Sequence, residues 1–242
     1  MPTTDEKAND DGNIERTQGN TQRQRSSSPD GCIGMTAERG YYHCDSLFIK
    51  RSLRPSEYMT TTRGTLHIPR LGKERLQNEA KSLRFIKRAT NIPIPTVYGA
   101  FEIDDSFYLI TEYIRGVSMI SISEDQKKIV QIELRQHLTG PSGLVIPPYR
   151  VMTRSENDIW SVRPFENADY GFCHNDLSQP NVIIDPDTLK IRAIIDWEYA
   201  GFWPEYFDSP FYERRGPSVP INGKKDDIQG LLDFLNNQTI LC

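Results

Sequence analysis

The sequence predicts an α+β protein built from two lobes. Segments rich in Val, Ile, Tyr and Phe dominate the first half of the chain, where they surround one long helical period. The second half indicates helices around a small hairpin, and this separation is typical of α+β domains. We therefore predict a small lobe at residues 31–113, an antiparallel sheet with one helix, and a mostly helical lobe at residues 114–242. Residues 1–30 contain almost no large apolar side chain, which predicts a disordered tail.

The first half predicts one helix among strands. Residues 46–50 are apolar and β-favouring, and residues 96–103 and 106–113 predict a hairpin that turns at Asp104-Asp105. Between them, apolar side chains recur at spacings of four, three and three, on one face of a helix over residues 72–89. That face consists of Leu76, Ala80, Leu83 and Ile86.

The second half predicts two helices separated by irregular chain. Ser121 and Glu124 have the spacing of a capping box, which predicts a helix that runs to about Leu138. Residues 139–170 show little periodicity, and we expect them to be mostly irregular. Helical spacing returns at residues 226–235.

The composition limits what the protein binds. Its 242 residues carry a formal net charge of −4 without a long basic stripe, so we expect no nucleic-acid partner. No apolar run approaches the roughly 20 residues of a membrane helix, and the N-terminus lacks an apolar signal core. The four cysteines show no C-x-x-C or zinc spacing, which favours free thiols. These features predict a cytoplasmic protein with no membrane partner.

The strongest chemical signal is the segment Cys173–Asn181, which contains H-x-D-x-x-x-x-N and is followed by Asp196 at the end of an apolar stretch. Phosphoryl transfer needs a carboxylate to orient the attacking hydroxyl and hard oxygen ligands to hold Mg²⁺ against the phosphates. Asp176 suits the first role, and Asn181 and Asp196 suit the second. We place His174 in the same catalytic loop, as a hydrogen-bonding support rather than a proton carrier.

A predicted hairpin explains how the two metal ligands meet. Strand-like residues 181–184 and 189–195 flank Asp185-Pro186-Asp187, which is a turn signal. Such a hairpin returns Asn181 and Asp196 to the same end, which is the geometry that a shared ion requires. Taken singly, each residue fits a capping role, but their combined order and spacing favours a metal-phosphate site.

The segment FCHNDLSQPNVIIDPDTLKIRAIIDWEYAGFWPEYFD resembles the catalytic and metal-binding stretch of the aminoglycoside phosphotransferase family. The HND triplet and the acidic-aromatic run, residues 196–208, are also similar to choline and ethanolamine kinases. The resemblance is closest to fungal members of the first family and extends from about residue 40 to the end of the chain. It implies a protein-kinase-like fold, ATP and Mg²⁺ as cofactors, and transfer of the γ-phosphate to a hydroxyl of a small molecule.

This resemblance assigns an ATP site to the first half of the chain. Such a fold needs a strand lysine that binds the α- and β-phosphates and a helix glutamate that holds it. Lys50 ends the first apolar strand, and Glu79 lies on or beside the apolar stripe of its helix, where an unpaired charge would be costly. We therefore predict that they pair. By the same resemblance, backbone groups at Glu112, Tyr113 and Ile114 would meet the adenine.

Some features depart from the family pattern. Gly31, Gly34 and Gly40 do not have the spacing of a phosphate loop, and we expect a flexible segment there. The short span before His174 indicates a reduced substrate lobe, so the alternative is a catalytically impaired protein that binds a nucleotide or a partner. Trp197 stands where protein kinases have a Phe-Gly pair, which argues against a protein kinase.

Acidic and aromatic side chains alternate after Asp196. In the related families such residues meet cationic substrates, so one interpretation is an acceptor that is an amine-bearing alcohol. The other interpretation is surface charge over buried aromatic side chains. The side chains concerned are Glu198, Tyr199, Phe202, Trp203, Glu205, Tyr206 and Asp208.

Overall fold

The described part of the chain forms an α+β fold of antiparallel sheets and a few helices, as predicted. No helix in this part is long and apolar enough to cross a bilayer. The predicted tail at residues 1–30 lies outside the described residues, and the division into lobes at residue 113 stays a prediction. The computed structural model describes residues 32–134, 147–155, 170–204, 207, 209–216, 218–219 and 227–236.

The first half of the chain forms a five-stranded antiparallel sheet. Its strands are β1 (Cys32–Met35), β2 (Arg39–Cys44), β3 (Leu47–Ser52), β4 (Val97–Ile103) and β5 (Ser106–Glu112). Their order is β1-β2-β3-β5-β4, so the predicted strand at residues 46–50 lies in the centre of the sheet. The predicted hairpin β4–β5 is confirmed, and it turns through Asp104 and Asp105 at positive φ of 48° and 59°, a conformation that Asp tolerates.

The expectation of a flexible segment around Gly34 and Gly40 is wrong, because these residues lie in the paired strands β1 and β2. A compact turn joins the strands: the Thr36 amide donates to the Arg39 carbonyl at 2.8 Å, and the Arg39 amide donates to the Thr36 hydroxyl at 3.0 Å. The side chain of Thr36 therefore fixes the turn without a glycine-rich loop. Gly31 lies outside the described residues.

Helix α1 (Gly72–Ala89) covers one face of this sheet and has the predicted bounds. The four apolar side chains predicted to share a face are all buried. The helix ends where both the amide and the hydroxyl of Thr90 donate to the Ile86 carbonyl. Leu76 and Ala80 pack against strand β5, while Leu83 and Ile86 enter the main core.

The described residues of the second half form three further helices: α2 (Glu124–Leu134), α3 (Tyr149–Met152) and α4 (Ile228–Asn236). The predicted capping box at Ser121 and Glu124 is wrong. Ser123 caps α2 instead, because its amide and hydroxyl both donate to the Gln126 side chain while the Gln126 amide donates to the Ser123 hydroxyl. Ser121 belongs to the preceding 3-10 turn. The predicted end of α2 at residue 138 lies outside the described residues, and α3 falls within the stretch expected to be irregular.

Two small sheets lie in the part of the second half that the structure describes. Strand β6 (Val117–Ser118) pairs with β8 (Val182–Ile184), which forms the predicted hairpin with β9 (Ile191–Ile194). Strand β7 (Tyr170–Cys173) pairs with β10 (Gly201–Pro204). The hairpin's apolar side chains, Phe172 and the last turns of α1 form one buried core, so the hairpin is anchored at the base of the helix. Cys173 and Trp203 belong to a second cluster with α3 and α4.

Gly116 permits the close approach of β6 to β8. A Cβ at this position would lie 2.5 Å from the Ile184 carbonyl oxygen and 2.8 Å from a methyl group of Ile183. We expect Gly116→Ala to lower the free energy of unfolding by about 1–3 kcal/mol, because backbone must shift to admit the methyl group. Urea denaturation measures this. Gly171→Ala is the matched control, since a Cβ there meets nothing within 4 Å, and equal effects of the two substitutions would contradict the prediction.

Candidate active site

The Lys50 ammonium joins the sheet, the helix and the hairpin. Its Nζ lies 2.8 Å from Glu79 Oε1 on α1 and 2.7 Å from Asp196 Oδ1, just beyond β9. The side chains of Lys50 and Glu79 are 10% and 4% exposed, whereas that of Asp196 is 35% exposed. The predicted contact of Lys50 with Glu79 is thus present. Lys50, Glu79 and Asp196 form a charged triad, of which Asp196 is the member that solvent reaches most easily.

The charges of this triad depend on one another. Burial lowers the pKa of Lys50, but Asp196 and Glu79 together hold it above its ordinary value. Burial raises the pKa of Asp196, but Lys50 and Arg39 outweigh it and lower this pKa to about 2. For Glu79, burial prevails and the pKa is raised. Asp196 therefore keeps its negative charge at neutral pH, as a metal ligand must.

The backbone at Asp196 is left-handed, with φ 69° and ψ 46°, a conformation that Asp adopts more readily than most residues. The following 3-10 turn, residues 197–199, is fixed from both sides. The Trp197 indole donates to the Ile194 carbonyl at 2.9 Å, and the Asn78 amide of α1 donates to the carbonyls of Glu198 and Ala200 at 3.0 and 2.8 Å. Helix α1 therefore holds both Glu79 and the turn that carries Asp196.

His174 holds the loop that carries Asp176 in place. It is fully buried, its Nε2 lies 3.0 Å from the Ile195 carbonyl, and its Nδ1 accepts the Asp176 amide at 3.3 Å. This network assigns the proton to Nε2, so both ring nitrogens are used in positioning. The geometry agrees with the supporting role expected for His174 and ties Asp176 to the residue that precedes Asp196.

Asn181, at the other end of the loop, bonds to Asp176 and to the chain just before Asp196. Its side-chain amide donates to the Asp176 carbonyl at 2.8 Å, and its own carbonyl accepts the Ile195 amide at 2.9 Å. The first bond orients the amide and leaves its oxygen as a potential metal ligand. The hairpin thus brings Asn181 beside the residue before Asp196, as predicted from their positions in the sequence.

The Asp176 carboxyl group sits in a poorly solvated position. Burial raises its pKa to about 6, and the charge of Asp196 acts in the same direction against contacts with Ser218 and Asn181 that lower it. A carboxyl group with a pKa near neutrality is suited to accept a proton from an alcohol as phosphate is transferred.

Arg150, on α3, is a positioning residue that the sequence did not reveal. Its guanidinium is fully buried and donates to the carbonyls of Asn175 and Phe207 at 3.3 and 2.8 Å, while Asp227 balances its charge at 2.8 Å. It therefore supports the backbone directly before Asp176. No pattern pointed to it, because its partners are distant in the sequence.

The predicted adenine contacts lie along the end of β5. The Tyr113 amide donates to the Ser46 carbonyl at 2.7 Å, and the Glu112 amide donates to the Thr96 carbonyl at 2.8 Å. Ile114 is half-buried. Both of these amides already have acceptors, so carbonyls or the Ile114 amide would have to meet a base. A role of these three residues in nucleotide binding stays a prediction.

The acidic-aromatic run is largely structural where it is described. Glu198 is buried and pairs with Arg39 and Arg75, while Trp197, Tyr199 and Trp203 are buried. Glu198 therefore has internal cations and is not free to receive a cationic substrate. Glu205, Tyr206 and Asp208 lie outside the described residues.

The donor set fits Mg²⁺ and a polyphosphate. Carboxylate oxygens of Glu79, Asp196 and Glu198 lie within 4.8 Å of one another, and two of these groups are already paired with Lys50. Hard oxygen ligands on a partly exposed carboxylate suit Mg²⁺, and the adjoining ammonium suits phosphate oxygens.

Comparisons with known proteins point to the same segment. Residues 147–209 match the phosphotransferase enzyme family. The predicted resemblance to a phosphotransferase family is confirmed over these residues. This chain is 35% identical over 52 residues to streptomycin 3''-kinase of Streptomyces griseus and 53% identical over 38 residues to a probable choline kinase of Arabidopsis thaliana.

These similarities are local. The two alignments cover 22% and 16% of this chain but only 19% and 11% of the relatives' own lengths. The solved structure of an aminoglycoside phosphotransferase from Streptomyces rimosus superposes with a TM-score of 0.46 at 18% identity, over 69% of this chain and 70% of that one.

The triad gives a prediction for stability. We expect Lys50→Met to lower the free energy of unfolding by about 3–5 kcal/mol, because it leaves Glu79 buried beside Asp196 without the ammonium group that contacts both carboxylates. Chemical denaturation measures the loss, and adding Glu79→Gln should restore part of it. Lys128→Met is the control, since Lys128 and Asp125 are 71% and 92% exposed and their pair should contribute little. A loss no larger than that of the control would contradict the prediction.

Asp176 gives a prediction with a defined pH dependence. Its pKa rises from an ordinary 3.8 to about 6 on folding, so the carboxylate costs folding free energy above about pH 6 and almost none below about pH 4. We expect Asp176→Asn to raise the free energy of unfolding by about 1–3 kcal/mol at pH 8, with the gain disappearing towards pH 4. Thermal unfolding between pH 4 and 8 measures it.

Asp185→Asn is the opposite control for this pH series. Arg192 holds the pKa of Asp185 at about 2, so its carboxylate stabilises the fold at neutral pH and its removal should lower the melting temperature at pH 8. A gain for Asp176→Asn that did not depend on pH would show that the effect is not electrostatic.

Proposed function

We propose that this protein is a two-lobed, kinase-like phosphotransferase that uses ATP and Mg²⁺ to phosphorylate a hydroxyl group of a small molecule. The observation that carries the proposal is the Lys50 ammonium, bonded at once to Glu79 on the helix and to Asp196 beyond the hairpin. A buried lysine held by two carboxylates next to a loop that carries Asp176 and Asn181 is the set of groups that phosphoryl transfer requires.

Each side chain has a distinct task. Lys50 binds phosphate oxygens of the nucleotide, and Glu79 keeps the ammonium charged and directed. Asp196 and Asn181 would hold Mg²⁺, which when bound neutralises charge on the phosphates. Asp176 orients the acceptor hydroxyl and accepts its proton, while His174 and Arg150 keep the loop in place.

The acceptor belongs to the class of small alcohols. The relatives named for streptomycin and choline both act on hydroxyl-bearing molecules that also carry cationic nitrogen, which supports an amine-bearing alcohol. Because Glu198 is paired internally, recognition of a cation would have to come from other side chains. The choice of acceptor therefore rests on the relatives and not on the acidic-aromatic run.

The test separates binding from chemistry. Mg-ATP should raise the melting temperature of the wild type in a magnesium-dependent way, since a ligand that binds only the folded state stabilises it. Asp196→Asn should lose this rise, because it removes a metal ligand. Asp176→Asn should keep the rise and lower phosphate transfer to streptomycin, choline or ethanolamine by about 10²–10⁴-fold, measured with radiolabelled ATP.

Asp185→Asn serves as the matched control, because it removes an acidic side chain from the tip of the same hairpin and touches none of these groups. It should keep both nucleotide binding and transfer. A well-folded wild type that shows no shift with Mg-ATP would contradict the proposal and favour a protein that binds a partner instead. Full transfer by Asp176→Asn would show that another group accepts the proton.

A further inference from the structure

Arg39 carries a buried guanidinium that is only partly hydrogen-bonded. The side chain is 3% exposed, and its Nη2 donates to Glu198. Its Nη1 is buried and has no hydrogen-bond partner among the described residues. Leaving a buried donor of a charged group unpaired costs free energy, so this atom points to a ligand that the protein alone does not supply.

The sheet places Arg39 on the same face as Lys50. In the β2–β3 ladder, Arg39 pairs with Ser52 and Tyr41 pairs with Lys50. Side chains of paired residues share a face and alternate along a strand, so Arg39 and Lys50 are diagonal neighbours on one side of the sheet. Arg51 lies on the other side, where it forms a bidentate pair with Glu57.

Glu198 connects the guanidinium to the active site. Its carboxylate, which accepts from Arg39, has an oxygen within 4.8 Å of carboxylate oxygens of Glu79 and Asp196. Arg39 therefore borders the same acidic cluster as the Lys50 ammonium. It also begins β2 directly after the turn at Thr36.

We propose that Arg39 is a second cationic ligand of the nucleotide's outer phosphates, with Nη2 on Glu198 and Nη1 on a phosphate oxygen. The inference rests on the proposed function and adds a residue to it. An arginine has several donors in a fixed plane and serves two anions at once, whereas Lys50 is a point charge. Arg39 thereby supplies charge and direction at a turn that lacks a glycine-rich loop.

The test measures nucleotide affinity by isothermal titration calorimetry with Mg-ATP, Mg-ADP and AMP. The double variant Arg39→Met/Glu198→Gln removes the two charges together, so that no carboxylate is left unpaired. We expect its affinity for Mg-ATP to fall about tenfold or more, with AMP affinity changed less than about twofold, because AMP lacks the outer phosphates.

Two further variants serve as controls. Arg51→Met/Glu57→Gln removes an ion pair from the opposite face of the sheet, where the arginine is similarly buried, and it should bind Mg-ATP as the wild type does. Arg39→Lys keeps a cation beside Glu198 but has a single nitrogen for two anions, so it should fold and still bind Mg-ATP more weakly.

The outcomes separate this inference from the proposed function. Wild-type affinity for Mg-ATP in both Arg39 variants would overturn the inference and leave the phosphotransferase intact. Equal losses for ATP and AMP would also overturn it, since Arg39 would then act through the fold rather than on the phosphates. A wild type that binds none of the three nucleotides would overturn the proposed function, and the inference with it.

Discussion

The rest of the structure depends on the burial of the Lys50 ammonium between Glu79 and Asp196. Removing such charges from water costs several kcal/mol for each ion, and only close, well-oriented partners offset this cost. The three charges come from the sheet, the helix and the end of the hairpin. Each charge is therefore stabilised only when all three elements are in place. The ion contacts that form the candidate site therefore also stabilise the fold.

Helix α1 also fixes the position of the turn that follows Asp196. One turn before Glu79, Arg75 donates to the Tyr199 hydroxyl at 2.7 Å, and Asn78 bonds the backbone on both sides of that tyrosine. The helix cannot rotate or move outward without breaking these bonds together with the bond to Lys50. Lys50 and the turn that carries Asp196 are thus positioned before a ligand arrives, which would reduce the ordering cost of binding.

The sequence predicted those features that follow from local patterns or from the cost of an isolated charge. Helix α1 was found because four apolar residues share a face, and the pairing of Lys50 with Glu79 because a carboxylate on an apolar stripe needs a cation. The β1–β2 hairpin was missed because the Thr36 side chain, and not a glycine pattern, fixes its turn. Arg150 was missed because its acceptors lie 25, 57 and 77 residues away.

One ligand could relieve two unfavourable features of the site. The Asp176 carboxylate is poorly solvated and close to the charge of Asp196, while the Nη1 of Arg39 is a buried donor without an acceptor among the residues that the structure describes. A cation held by Asp196 would reduce the repulsion on Asp176, and a phosphate oxygen would satisfy Arg39. A magnesium–polyphosphate complex would bring both charges in one ligand, with Asp196 able to hold its cation and Arg39 able to hold its anion. The folded chain therefore carries costs that the proposed substrate relieves, which is the pattern expected where function and stability conflict.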